Sequence, residues 1–129
     1  MQRKMKKMVF QYVKNNPDVE KRKNECESIK TQFPDKIPII CERDPNCKVL
    51  PVIDKTKYLV SGELTIAQFT LMIRKKIGVP EEESSFFLLV EGQYTITGDM
   101  ILSDVYQKYK NAKDGFLYIA YTSAIIWGN

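Results

Sequence analysis

The chain has 129 residues, 20 Lys or Arg against 16 Asp or Glu, an apolar fraction of 43% and a charged fraction of 28%, the composition of one ordinary globular domain. It contains no histidine, which excludes imidazole-based nucleophile pairs, His proton shuttles and His-containing zinc sites. Its three cysteines, Cys26, Cys41 and Cys47, are odd in number and lack CxxC spacing, so they are expected as free thiols in a reducing compartment.

Charge is unevenly placed. Residues 1–36 carry ten Lys or Arg against five Asp or Glu, whereas residues 37–129 carry ten against eleven. Such a basic arm serves either as a solvated helical face or as a contact to an acidic protein, a phosphate-rich polymer or an anionic membrane. The start, Met1-Gln2-Arg3-Lys4-Met5-Lys6-Lys7, is not followed by an apolar core of signal-peptide length. The longest apolar runs, Phe86 to Val90 and Ala124 to Trp127, fall far short of the ~20 residues that span a bilayer. A glycine at position 2 and a C-terminal CaaX box are both absent, which leaves myristoylation and prenylation unsupported. A cytoplasmic location is expected.

In chain order, Met8, Val9, Phe10, Tyr12 and Val13 predict one short helix, cut off by Asn15-Asn16-Pro17. Residues 18–33 predict a second, with Pro17 at its first position, Asp18 and Glu20 at its positive end, and Val19, Cys26, Ile29 and Phe33 as its apolar stripe. Lys36 to Arg43 is short and β-branched and predicts a strand, with Pro38 making it irregular or placing it near an edge. Asp44-Pro45-Asn46 is turn chemistry, Val49 to Ile53 is expected to pair back, and Thr56 to Val60 is a second extended run.

Thr65 to Ile77 is the clearest helix, with Ile66, Phe69, Met72, Ile73 and Ile77 at helical spacing, Arg74-Lys75-Lys76 in its last turn and Gly78 at its C-cap. Phe86 to Val90 predicts a buried strand ending at a Glu91-Gly92-Gln93 turn. Ser103 to Tyr109 predicts a short helix, Phe116 to Tyr121 a final strand, and residues 122–129 a tail. The order helix–helix, strand–strand–helix–strand–short helix–strand is that of a β-grasp. A single domain over 1–129 follows, with the basic arm and helices in 1–35, the α+β core in 36–121 and a flexible tail in 122–129.

Catalytic chemistry finds little support. Glu81-Glu82-Glu83 follows Pro80 in a polar loop, where solvated acids lack the contrasting environments that acid–base work needs. Cys41 and Cys47 have no histidine to activate them, and no P-loop, dinucleotide fingerprint, HExxH or EF-hand loop is present. Arg3, Lys4, Lys6 and Lys7 precede Phe10 and Tyr12, but without an RNP-type strand or a far more basic domain nucleic acid is not an expected partner. At the C-terminus, Trp127-Gly128-Asn129 places a glycine one residue from the end. A glycine carboxylate, having no side chain, can thread a narrow channel into an acyl-transferring enzyme once the residue after it is clipped; a frayed tail is the plainer reading.

Three long stretches decide the family resemblance: Phe33-Pro34-Asp35-Lys36-Ile37-Pro38-Ile39-Ile40, Leu50 to Val60, and Asp114-Gly115-Phe116-Leu117-Tyr118-Ile119-Ala120-Tyr121. Together they resemble the autophagy ubiquitin-like modifiers, the light-chain-three and GABA-receptor-associated-protein branches, from about Lys6 to Gly128. The resemblance implies a ubiquitin-like β-grasp with two additional N-terminal helices, and a protein that is substrate, not enzyme. It implies cleavage by a dedicated cysteine protease between Gly128 and Asn129, then joining of Gly128 to phosphatidylethanolamine by ubiquitin-style activating and conjugating enzymes, on the autophagosome membrane. No other cofactor is implied.

It also implies docking of receptor peptides of the pattern aromatic-x-x-aliphatic along an exposed strand edge at Lys57, Tyr58, Leu59 and Val60. Glu25, Ile29, Pro38, Ile40, Lys57, Leu59 and Phe116 would form the aromatic pocket, and Tyr58, Val60, Leu64, Phe69, Met72 and Ile73 the aliphatic one. Lys55, Lys57 and Lys76 would attract flanking acids. Two positions depart from the family pattern. Ser61-Gly62 follows Val60 where proline is usual, which implies a looser wall, and Trp127 replaces the usual Phe or Tyr before the processed glycine. The alternative from another class is an unconjugated β-grasp module whose basic arm binds tubulin or another acidic polymer.

Overall fold

The computed structural model describes residues 7–79 and 86–123. Helix α1 (Gln11–Asn15) is shorter and later than its apolar residues suggest. Met8 lies before the helix and gives its N–H to Glu91 O at 3.0 Å. The Glu42 carboxylate then accepts from the N–H groups of Gln11 and Tyr12 at 2.7 and 2.9 Å and fixes the helix start. Helix α2 (Val19–Gln32) begins two residues beyond Pro17, because Asp18 caps it by accepting from Lys21 N. Its buried stripe also differs from expectation. Cys26 is buried and Ile29 half-buried, but Val19 and Phe33 are exposed, and the buried position one turn before Cys26 belongs to Arg22.

Strand β1 (Lys36–Arg43) and strand β2 (Lys57–Ser61) pair antiparallel, with Pro38 opposite Leu59 and Ile40 opposite Lys57. β1 is an interior strand despite Pro38. Cys41 donates to Thr56 O on the β2 side, so by alternation Pro38 faces the other neighbour, where pairing starts only at Ile39 opposite Leu117. The missing N–H therefore costs no ladder bond. Val49 to Ile53 does not form a strand. Leu50 and Ile53 are buried, but the carbonyls of Leu50 and Pro51 are taken by Arg43 Nη1 and the Tyr121 hydroxyl, which replaces a ladder with side-chain ties.

Helix α3 (Ile66–Ile77) carries a complete capping box between Thr65 and Gln68 and ends at Gly78 in the left-handed region, φ +75°. Strand β3 (Phe87–Val90) turns at Glu91 and Gly92, both with positive φ, into β4 (Tyr94–Thr95), a strand too short to show in the sequence pattern. Helix α4 (Leu102–Tyr109) leads to β5 (Leu117–Thr122), which runs one residue further than expected and is buried to its end. The described strands form one sheet in the order β2-β1-β5-β3-β4, with β1 and β5 parallel and the other pairs antiparallel.

The sheet has two apolar faces. On one, Ile37, Ile39, Tyr58, Val60, Leu117 and Ile119 pack with Phe69 and Ile73 of α3 and Leu102 and Val105 of α4. On the other, Ile40, Phe116, Tyr118 and Ala120 meet Phe10 and Cys26. Arg22 locks this second layer from α2. Its Nε reaches Asp114 at 2.8 Å and its Nη1 reaches Asn16 O at 2.7 Å, while Asp114 also accepts from the Tyr118 hydroxyl. Among the described residues no helix is long and apolar enough to cross a membrane.

Candidate functional site: a strand edge between two helices

The strand order leaves the outer side of β2 without a partner strand among the described residues. Its side chains alternate across the sheet. Lys57 and Leu59, opposite Ile40 and Pro38, face the α2 layer, whereas Tyr58 and Val60, opposite Ile39 and Ile37, face the α3 layer. Each side of the edge is therefore walled by its own helix.

On the α2 side, Glu25 and Ile29 lie one helical turn apart above β1 and β2. Leu59 is 37% exposed, while Ile40 and Phe116 are wholly buried and can serve only as floor. The Lys57 ammonium stands 2.6 Å from Glu25 Oε2 and 5.2 Å from the ring centroid of Tyr12. Tyr12 donates its hydroxyl to the same Glu25 carboxylate and meets Phe116 edge-on. Tyr12 is a member of this wall that the sequence pattern does not reveal, because it joins Glu25 and Lys57 only through the packing of α1 on the sheet. Burial, and then the bond to Glu25, pushes its phenol well above the ordinary tyrosine value, so it remains a donor at neutral pH.

On the α3 side, Tyr58 and Val60 are buried, Phe69 and Ile73 are completely so, and Leu64 and Met72 are half-buried at the rim. Tyr58 stands edge-on to Phe69 and donates to Lys55 O at 2.7 Å, which holds Lys55 Nζ 5.2 Å from its ring centroid. Burial, then the neighbouring Cys41 thiol, pushes the Tyr58 phenol up to about 12. Lys76 is exposed one turn beyond Met72. The segment after Val60 is held firmly: Ser61 pairs with Lys36, Gly62 N donates to Asp35 O at 3.1 Å, and Gly62 O accepts from Ser103 N at 2.9 Å. The proposed looser wall is not what Ser61-Gly62 builds.

Little in the described residues supports catalysis. No group of three or more His, Cys, Asp or Glu among them can hold a metal. Burial pushes the Cys26 thiol up to about 11 and the fully enclosed Cys41 thiol higher still, so neither is a ready nucleophile. Residues 1–6, the Glu81-Glu82-Glu83 run, Trp127, Gly128 and Asn129 lie outside the described residues.

A mixed sheet with this order, helices on both faces and an open edge strand narrows the choice, and the family comparison completes it: the model of the family described as "Autophagy protein Atg8 ubiquitin like" matches residues 21–128. The chain belongs to the Atg8 ubiquitin-like family. "Autophagy-related protein 8" of Kluyveromyces lactis is 44% identical over 110 residues, covering 85% of this chain and 86% of the relative. "Autophagy-related protein 8e" of Arabidopsis thaliana is 42% identical over 115 residues, covering 89% and 91%. Human "Microtubule-associated protein 1 light chain 3 gamma" is 38% identical over 107 residues, covering 83% and 71%. As an Atg8-family member the chain is a ubiquitin-like autophagy protein of β-grasp fold and not an enzyme. The match extends through Gly128, the residue before the last.

Proposed function

We propose that this protein is a lipid-conjugated modifier and receptor-docking adaptor in autophagy. A cysteine protease removes Asn129, ubiquitin-style activating and conjugating enzymes join Gly128 to phosphatidylethanolamine, and the protein moves from cytoplasm to autophagosome membrane. There the β2 edge takes up receptor peptides.

The observation that carries the docking reading is the alternation along β2. A peptide added as a strand sends residues three apart to opposite faces, because side-chain direction repeats every two residues. An aromatic side chain at the first position then meets Glu25, Ile29, Pro38, Ile40, Lys57, Leu59 and Phe116 on the α2 side. An aliphatic one at the fourth meets Tyr58, Val60, Leu64, Phe69, Met72 and Ile73 on the α3 side. Lys55, Lys57 and Lys76 favour acids flanking the motif.

Amide shift mapping with an acidic Trp-x-x-Leu peptide tests this. The reading requires the largest shifts at residues 57–61 and on the facing flanks of α2 and α3. Shifts centred on the N-terminal arm would replace it with a polymer-binding module.

A further inference from the structure

Helix α2 has a second working flank. Glu25 and Ile29 face β2, but Lys23, Cys26, Glu27 and Lys30 face away from it, toward the connection that carries α4 into β5. A cleft of about 560 Å³ opens there, within the range of small-molecule sites. Its walls carry four lysines, Lys23 and Lys30 from α2 and Lys110 and Lys113 from the connection.

The charge in this cleft is unbalanced. Glu27 is the one lining carboxylate without a cation of its own, since Asp114 is committed to Arg22 and to the Tyr118 hydroxyl. Among the described residues no ion pair neutralises any of the four lysines. Two of them converge on one ring: Lys30 Nζ lies 4.9 Å and Lys110 Nζ 5.3 Å from the centroid of Tyr106. That ring is fixed from below, its hydroxyl donating to Gly115 O at 2.8 Å. The Cys26 thiol, raised to about 11 by burial, adds no negative charge at neutral pH.

Several ammoniums held around one small concavity repel one another, and a compact polyanion relieves that repulsion while accepting hydrogen bonds from them. Lys30, whose ammonium already donates to Pro34 O and Lys36 O at 3.4 and 3.2 Å, adds mainly its charge. A nucleic acid or an acidic polymer would need a linear basic track, and four lysines gathered around one concavity do not supply one. We propose that the cleft between α2 and residues 106–115 binds a multiply phosphorylated small group, such as a phosphorylated inositol ring, taken either free or as a lipid headgroup.

The test uses the full chain with two probes: inositol hexakisphosphate in calorimetric titrations, and phosphatidylcholine vesicles carrying a minor fraction of phosphatidylinositol bisphosphate in co-sedimentation. Lys110→Glu with Lys113→Glu turns four lysines against one free carboxylate into two against three. That pair should weaken binding at least about tenfold, with a salt dependence that shrinks in parallel. Lys113→Gln alone should give a smaller loss, and removal of residues 1–6 should change little. Melting temperatures of all variants report that they fold. Uptake of the soluble probe alone assigns a free ligand, and uptake of vesicles assigns a headgroup. The proposal fails if neither probe binds, if the lysine variants bind as the native chain does, or if binding disappears with residues 1–6.

Discussion

The Glu25 carboxylate and the Lys57 ammonium, 2.6 Å apart, tie helix α2 to the open edge strand across the aromatic side of the groove. Tyr12 donates to the same carboxylate from α1, so one acid gathers three separate elements at the groove wall. Burial alone would raise this carboxyl, but the hydrogen bonds from Lys57 and Tyr12 outweigh it and hold it below the usual range.

A carboxyl depressed in the folded state contributes stability that is fully present above its unfolded value, about 4.3, and is lost as pH falls through its lower folded value. Glu25→Gln should therefore lower the denaturant midpoint at neutral pH, and the deficit should shrink at about pH 3. Both partners are roughly 40% exposed, so solvent screening keeps the effect small. Midpoints measured at the two pH values check this, and a deficit that grows on acidification would contradict it.

Leu59 and Phe69 should respond differently to truncation. Leu59 is 37% exposed at the edge, so Leu59→Ala should weaken peptide binding with little change in melting temperature. Phe69 is fully buried against Tyr58 and Ile73, and Phe69→Ala should destabilise the fold by about 3–5 kcal/mol. Peptide titration beside thermal melts separates the two effects.

Arg22→Ala should be among the costlier single substitutions. Arg22 and Asp114 have side chains only 6% and 0% exposed, and removing the guanidinium strands a buried carboxylate, at a cost of about 3–5 kcal/mol. Chemical denaturation measures it. Replacing Arg22 and Asp114 together by apolar residues should recover much of the loss, since no lone charge then remains.

Gly92 sits at φ +71°, and a Cβ there would come within 2.6 Å of Met8 Cβ. Gly92→Ala should cost about 1–2 kcal/mol in backbone strain and also push Met8 off the turn, breaking its bond to Glu91 O. Faster amide exchange at Met8 and in α1, with α3 unaffected, is the expected signature.

These residues also show what the sequence makes legible. Helix α3 is readable because its signals are local: Thr65 and Gln68 close a capping box, the apolar residues repeat at helical spacing, and Gly78 ends it. Features fixed by distant partners are not readable. Arg22 looks like a surface charge until Asp114, 92 residues away, meets it. The Leu50 and Ile53 pattern resembles a strand, yet Arg43 and Tyr121 take the carbonyls that a ladder would use. Tyr94 and Thr95 form too short a strand to carry a period, and Tyr12 enters the groove wall only because Glu42 sets where α1 begins. The edge strand was legible from the long family stretches, whereas the division of its residues into floor and rim required the burial of each.

The central claim is that Gly128 is joined to a membrane lipid. Intact-mass analysis of soluble and membrane fractions, from cells with a working autophagy system expressing the native chain or Gly128→Ala, tests it most directly. The account predicts loss of Asn129 and a phosphatidylethanolamine adduct in the membrane fraction of the native chain, both absent from the variant. An intact C-terminus with no adduct in either fraction would contradict it.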